Sequence, residues 1–524
     1  MSELVNLTID GTAVSVPKGT TLIEAAKQAG VLVPHYCYHP SLPSPAVCRM
    51  CLVEVEKNPK LQPSCVTTVA EGQVVHVNSA NAKKARESVL EFLLINHPLD
   101  CPICDQAGEC ELQDYVFQEG RAATRYEDYA KRYNPVEDFG PDVLYVPNRC
   151  ILCTRCVRFM DDVAEEPVLC VAERGDRAFI GIDPAHKLTH EWSGNVVDLC
   201  PVGSLVSKDF LHKARAWDLD KAAGVCTGCS QGCNITLETR DDAVVRLRPR
   251  PNLEVNRHFM CDTGRADYRW MNRGDRVEAP LVRQDGKLQA TDWLKGFEAL
   301  AALVKGANGP VVVLASGRAS VESLALTKKL VAGKTATLAV QIPMSKNAEA
   351  PLKGVPNLAL RQERAPNGTG AAWLGYSKDW TAALNAATGA ALVLVVGAEL
   401  TDAEWASLKG AKAVAVLAAV DAVGEDVAQV VLPITTVAEE LGAYVNRDGR
   451  IQRFWPAKAA PGMARPAWWV AGEVASLLGG GDAPQSADAA FKLAVAMAPR
   501  FGGVAYAELG FIGRATAQSP VGVA

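Results

Sequence analysis

The chain has 524 residues, 48% of them hydrophobic, with 54 Lys+Arg against 59 Asp+Glu and a formal net charge of −5. That length is enough for three or four domains, and the mild acidity gives no electrostatic basis for a nucleic-acid or anionic-membrane partner. The opening MSELVNLTIDGTAV lacks a basic n-region and an apolar h-region, and the longest apolar runs, such as Ala390 to Ala398, fall well short of a membrane span. A soluble, cytoplasmic chain able to dock on a membrane complex is therefore expected.

Residues 5–9 (VNLTI) alternate apolar and polar, Asp10-Gly11 signals a hairpin turn, and Val14 and Val16 continue the alternation. Thr21 with Glu24 predicts a capping box for a helix ending near Ala29, with Gly30 as its stop. LVEV (52–55) and VVHV (74–77) read as strands, so this part predicts a small mixed sheet on one helix. Residues 81–96 predict a helix with Ala85, Val89, Phe92 and Leu93 on its apolar face, stopped at Asn96-His97-Pro98. Cysteine-rich loops recur to about residue 261, overlapping an arginine-dense stretch from Arg240 to Arg283 that reads as a solvated, ion-paired surface. Beyond about 290, short buried-strand runs (PVVVLAS, ALVLVVG, AVAVLAA) alternate with helical stretches, the pattern of an α/β domain with a parallel sheet. The tail from about 503 reads as weakly structured.

Sixteen cysteines are the unusual feature: fifteen lie within the first 233 residues and the last is Cys261. In a reducing compartment such crowding points to metal or catalysis over disulfides. Four groups emerge. Cys37-x10-Cys48-x2-Cys51-x13-Cys65 supplies four thiolates, enough for a [2Fe–2S] pair, in a variant of the plant-type spacing. His97-x3-Cys101-x2-Cys104-x5-Cys110 is the second group. Cys150-x2-Cys153-x2-Cys156 with the distant Cys200-Pro201 is the bacterial ferredoxin arrangement stretched out. Cys226-x2-Cys229-x3-Cys233-x27-Cys261 repeats the three-plus-one pattern of a cubane site.

Structural zinc is the rival for any single C-x2-C pair. Zinc sites, however, usually come as two ligand pairs, whereas three of these groups show three clustered ligands and one remote ligand. Four sites of four ligands need sixteen positions, and the chain offers fifteen cysteines plus His97, with Cys170 left over. Alone, His97 before Pro98 reads as a turn residue; the ligand count favours it as a ligand. Cys170, in PVLCVAE, reads as a buried small hydrophobe. His35, His39 and His258, beside cysteines, read as packing neighbours. No G-x-G-x-x-G follows a strand and no G-x4-G-K-[ST] is present, so no dinucleotide or P-loop site is expected. No thiolate after Cys261 is offered to molybdenum, tungsten or a hydrogenase metal centre.

With these spacings and the strings ECELQD (109–114), RCILCTRCVRFMDD (149–162) and SGNVVDLCPVGSLVSK (193–208), the chain resembles the large iron–sulfur (G) subunit of bacterial NADH:quinone oxidoreductase, respiratory complex I. DRVEAPLVRQDGKL (275–288), VVLPITTVAEELGAYVNRDGRIQRF (430–454) and ARPAWWVAGEVASLLG (464–479) resemble the molybdopterin-oxidoreductase-like part of that subunit, which in the family has lost its cofactor. Many bacterial members are longer, so this module is expected to be reduced.

The resemblance implies an α+β then α/β fold, with a [2Fe–2S] β-grasp ferredoxin-like domain over 1–80. It implies a [4Fe–4S] module with one histidine and three cysteine ligands over 81–120 and a ferredoxin-like [4Fe–4S] module over 140–217. A molybdopterin-oxidoreductase-type [4Fe–4S] module over 219–275 and a cofactor-free α/β domain over 276–524 follow. It implies one [2Fe–2S] and three [4Fe–4S] clusters on the sixteen ligands, with His97 a ligand and no complete active site in this chain alone. The implied function is electron relay from a flavin subunit towards quinone, within a complex that translocates protons. Partners would be the flavin/NADH-binding subunit, a small [2Fe–2S] subunit and the quinone-module cluster subunits, at the inner face of the bacterial plasma membrane. The alternative is a cluster-bearing catalytic subunit of an NAD-linked formate dehydrogenase or a hydrogenase.

Overall fold

The structure, a computed structural model, describes residues 3–128, 131–183, 185–421, 424 and 426–516. It divides into two compact units, Met1–Asp218 with Leu352–Pro356, and Leu219–Pro351 with Asn357–Ala524.

In the first unit, Leu4–Ile9 and Thr12–Pro17 form an antiparallel hairpin. Asp10 and Gly11 at its turn both have positive φ, 45° and 83°, the geometry an Asp-Gly turn favours. Leu4–Ile9 also pairs in parallel with Gln73–His76, and the sheet continues through Leu52–Val55 to Gln62–Pro63. Alternation turns Val5, Leu7 and Ile9 inward onto Leu22, Ile23, Ala25 and Ala26 of the helix Leu22–Gln28. Cys51 and Cys65 belong to this same apolar cluster.

Two local expectations change here. Thr21 is the N-cap residue, but its side chain makes no cap hydrogen bond; Glu24 instead accepts one from the Tyr38 hydroxyl. The helix Ala80–Asn96 buries Ala82, Arg86 and Leu90, while Val89 and Leu93 pack at the edge of the core and Phe92 is exposed. The reason is the ion pair of Arg86 with Glu119 at 3.1 Å, which draws a charged face inward against the helix Glu111–Glu119.

A three-stranded sheet of Leu205–Ser207, Val143–Tyr145 and Glu137–Asp138 and a hairpin of Leu169–Ala172 with Phe179–Ile182 follow. Cys170 lies on that hairpin and is exposed, contrary to the sequence expectation; its neighbour Val171, on the opposite face, is exposed too, so the two-stranded ribbon is open to solvent on both faces here.

The second unit opens with an antiparallel sheet of Asp220–Val225, Asn234–Arg240 and Ala243–Pro249. Its main sheet has seven strands. Val430–Pro433, Val414–Ala418, Leu392–Val396, Val311–Ser316 and Ala336–Gln341 pair in parallel in that spatial order, and the hairpin Leu281–Gln284/Lys287–Ala290 joins the Val430–Pro433 edge antiparallel. The strands are near-continuous Val/Leu runs because both faces are covered. Val311, Val313 and Ala315 pack with the helices Trp293–Gly306, Val321–Leu330 and Ala467–Leu477; Val312 and Leu314 pack with Ala383, Ala387 and Trp405.

The tail is better ordered than expected. Tyr506 and Leu509 are buried in the main core, and Arg514–Ala515 pairs with Arg450–Phe454. Residues 517–524 lie outside the described residues. Arg276 also departs from the expected solvated surface: it is buried in an ion pair with Glu439 at 2.5 Å. Among the described residues no helix is long and apolar enough to cross a membrane.

Candidate metal centres in four cysteine groups

In the first group, Cys37, Cys51 and Cys65 are buried and Cys48 is half-buried. Their sulfurs form pairs: Cys37 with Cys48, and Cys51 with Cys65, with a further contact from Cys65 to Cys37. The Cys37 amide donates to Cys48 Sγ at 3.4 Å. Hydrogen bonding to the Cys37 sulfur and burial push the Cys48 thiol up, whereas Cys51 is lowered by its bond with Cys65.

In the second group, His97 is the C-cap residue of the helix Ala80–Asn96, and Cys110 the N-cap residue of the helix Glu111–Glu119. His97, Cys101, Cys104 and Cys110 line one cavity of about 130 Å³, closed by apolar Leu94, Ala107, Leu112 and Val116. Burial, then the charges of Lys131 and Arg149, push His97 down to about 4, so the imidazole is neutral at physiological pH, the form that can donate a lone pair. Arg215 ties the loop by donating to the Cys104 carbonyl at 2.8 Å. Burial raises Cys110 to about 11.

Cys150, Cys153, Cys156 and Cys200 line a third, smaller cavity of about 20 Å³. The Leu152 amide donates to Cys150 Sγ at 3.4 Å, and the amides of Val202, Ser204 and Leu205 surround Cys200. Burial raises Cys153 to about 12 and Cys200 to about 11.

The fourth group lies in the second unit. Cys226, Cys229, Cys233 and Cys261 are all buried, and each is raised by burial. Amides of Gly228 and Gly264 donate to Cys226 and Cys261 Sγ at 3.5 and 3.3 Å. A Cβ at Gly264 would stand 3.1 Å and 3.2 Å from the Cys226 and Cys261 sulfurs, so this glycine lies between two of the group's sulfurs.

A common device brings the sulfurs round. Each group has a left-handed residue within or beside its short spacing: Arg49, Gly108, Leu152 with Thr154, and Gly232. The donor sets are similar: mostly buried or half-buried thiols, with Cys101 exposed, many of them raised by burial, with amide N–H groups aimed at sulfur. That set fits a cationic multi-iron core, which would deprotonate the thiols and leave thiolate sulfurs to accept the N–H···S bonds. Among the described residues no three His, Cys, Asp or Glu groups converge closely enough to hold a single metal ion.

Two residues that the sequence did not single out stand among these groups. Arg155, between Cys153 and Cys156, is buried and donates to Glu111, the Tyr38 carbonyl and the Leu199 carbonyl. Gly203, three residues after Cys200, abuts the Cys104 sulfur of the second group. A glycine after Cys-Pro-Val and an arginine inside C-x2-C are visible in the sequence, but not what they touch.

Five family models match, in chain order: a 2Fe-2S iron-sulfur cluster binding domain over residues 2–80 and the NADH-ubiquinone oxidoreductase-G iron-sulfur binding region over 86–125. The ferredoxin-like domain of NADH-quinone oxidoreductase subunit 3 follows over 140–206, the molybdopterin oxidoreductase Fe4S4 domain over 220–273, and molybdopterin oxidoreductase over 347–477. Together they define an iron–sulfur protein with 2Fe-2S- and 4Fe-4S-type domains followed by a molybdopterin-oxidoreductase-like α/β region.

Relatives include the NADH-quinone oxidoreductase G subunit of Rickettsia felis, 40% identical over 62% of this chain and 49% of the relative. The mitochondrial NADH-ubiquinone oxidoreductase 78 kDa subunit of Neurospora crassa is 44% identical over 62% of this chain and 44% of the relative. The G subunit of the Streptomyces coelicolor enzyme is 39% identical over 61% and 38%. The chain is a homologue of the NADH-quinone oxidoreductase G subunit. It spans about half the length of the first of these relatives, 49% of the Rickettsia felis protein. A solved NAD+-reducing [NiFe]-hydrogenase chain is 29% identical, with 40% of this chain and 90% of that chain covered, at a TM-score of 0.37.

Proposed function

We propose that the four groups hold one [2Fe–2S] and three [4Fe–4S] clusters and that the chain relays electrons within an NADH:quinone oxidoreductase. The observation that carries this reading is a shared core. Cys37, Cys110 and Cys153, one from each of the first three groups, sit in one hydrophobic cluster with Tyr36, Leu90, Leu112 and Val202, and Cys48 and Cys200 pack against it. Three cluster sites on one dry core form a relay through low-dielectric protein.

The residues have separable tasks. Cys37 and Cys48 would share one iron and Cys51 and Cys65 the other, following their pairing. His97, Cys101, Cys104 and Cys110 hold the second cluster, Cys150, Cys153, Cys156 and Cys200 the third, and Cys226, Cys229, Cys233 and Cys261 the fourth. Amides of Leu152, Gly228 and Gly264 donate to sulfur and thereby tune it. Bound clusters supply one-electron transfer. The domain limits proposed are 1–80, 81–120, 140–217, 219–275 and 276–524. The flavin/NADH-binding subunit delivers electrons, the small [2Fe–2S] subunit and quinone-module cluster subunits are neighbours, and the place is the inner face of the plasma membrane.

Metal analysis with EPR of the reduced protein tests this. Iron and sulfide near fourteen atoms each (about 2 + 3 × 4 from the cluster types), without Mo, W or Ni, supports the relay. Stoichiometric molybdenum or tungsten would support a catalytic formate dehydrogenase subunit, nickel a hydrogenase, and zinc without colour a binding module.

A further inference from the structure

The first three groups meet at one side chain. Arg155 is 4% exposed, and its guanidinium reaches a neighbour of a candidate ligand in each group. Nη2 donates to the carbonyl of Tyr38, next to Cys37, at 2.9 Å. Nη1 donates at 3.3 Å to the carbonyl of Leu199, next to Cys200. Nη1 and Nη2 both grip Glu111, next to Cys110, at 3.0 and 3.2 Å. Nε is buried and has no hydrogen-bond partner within the protein.

Burying a guanidinium costs several kcal/mol unless nearly every donor is satisfied. An apolar side chain in its place would leave Glu111 and the carbonyls of Tyr38 and Leu199 without this donor, so the arginine holds the fold as well as the sites. What the arginine supplies is a fixed planar fork that holds three loops in register. It also supplies a positive charge that Glu111 offsets in part and that lies close enough to Cys153 and Cys200 to act on those sulfurs once they are ionised. Arg158, one turn on, provides an internal contrast. It donates to the carbonyls of Cys37 at 2.6 Å and Cys153 at 3.2 Å and to Pro43 at 2.5 Å, so it touches the first and third groups but not the second.

We infer that Arg155 is a positioning residue common to the first three cluster sites, one counter-charge and clamp whose loss shifts the reduction potential of all three together. The inference rests on the cluster assignment under Proposed function. Reduction adds an electron, so a nearby cation raises a potential and its removal lowers it.

The test uses the full chain purified with its clusters, comparing the unsubstituted protein with Arg155→Gln, Arg155→Lys and Arg158→Gln. Iron per chain and EPR-monitored redox titration are the readouts. Arg155→Gln is expected to lower the midpoint potentials of the [2Fe–2S], second-group and third-group signals together. Arg155→Lys keeps the charge and recovers most of that shift, and Arg158→Gln displaces the first- and third-group signals while leaving the second. Where Arg155→Gln does not load, iron missing from all three sites at once supports the common clamp. Iron missing from the third group alone overturns it, as do fully loaded Arg155→Gln protein with unchanged potentials and a shift confined to one signal. An unsubstituted chain without cluster signals would instead remove the cluster assignment itself.

Discussion

Gly203 faces the sulfur of Cys104 so closely that a side chain at this position would overlap it: a Cβ built there falls well inside van der Waals contact distance of the sulfur and 3.0 Å from Gln106 Cβ. The third group's return loop thus forms one wall of the second group's cavity, which Gly203 lines. Gly203→Ala is expected to displace the Cys104 thiolate and to cost the second cluster. Iron per chain should fall from about fourteen towards about ten, with the third-group EPR signal retained. Unchanged iron and spectra would show that the loop gives way instead.

His97 tests ligand identity by charge. His97→Cys replaces a neutral imidazole by a thiolate, so the second cluster should persist at a lower potential. His97→Ala should lose or alter that cluster alone. An unaltered EPR spectrum and iron content in His97→Ala would return His97 to the role of a helix-end residue.

Arg86 is fully buried, pairs with Glu119 at 3.1 Å and donates to the Val77 carbonyl at 3.0 Å. Removing one partner strands a buried charge. Arg86→Ala should cost about 3–5 kcal/mol, read as an earlier denaturant midpoint for the first unit. Glu119→Gln should cost less, since the amide still accepts a hydrogen bond.

The second unit should lose stability as pH rises. Burial raises Glu322 to about 8 and Glu440 to about 7 from their ordinary 4.5. Between pH 4.5 and 8 the folded form therefore holds more protons than the unfolded one, and the stabilisation present at low pH is lost as these carboxyls ionise. The slope is at most about 1.4 kcal/mol per pH unit for each group. Glu322→Gln keeps an oxygen for the Ala443 amide and should flatten the fall in denaturation midpoint between pH 5 and pH 8.5. An equal slope in both proteins would assign the dependence elsewhere.

Cys229→Ser should remove the fourth cluster. We expect about four fewer iron atoms and a lower melting temperature for the second unit, with the first three groups' EPR signals retained. Unchanged iron content would take Cys229 out of the proposed ligand set.

The cysteine spacings and the alternation of residues 5–9 were legible because both are local: each depends on residues a few positions apart. The parallel sheet was legible from its Val/Leu runs for the same reason. What was not legible is long-range. Phe92 fits a helical apolar stripe yet faces solvent, because Glu119 recruits Arg86 inward. Cys170 sits in an apolar string, but its ribbon has an open face. Arg155 lies 44 residues from Glu111 and 117 from Tyr38, and no local rule names either partner. Tyr506 and Leu509 sit among glycines and alanines that resemble a loose tail, and only the pocket they fill reveals their place.

Finally, the hydrophobic cluster that contains Cys37, Cys110 and Cys153 makes those cysteines core residues as well as the proposed cluster ligands. Loading and the integrity of the first unit's core are thereby coupled: substituting Cys37, Cys110 or Cys153 should weaken the packing around Tyr36, Leu90 and Leu112 along with the hold on iron.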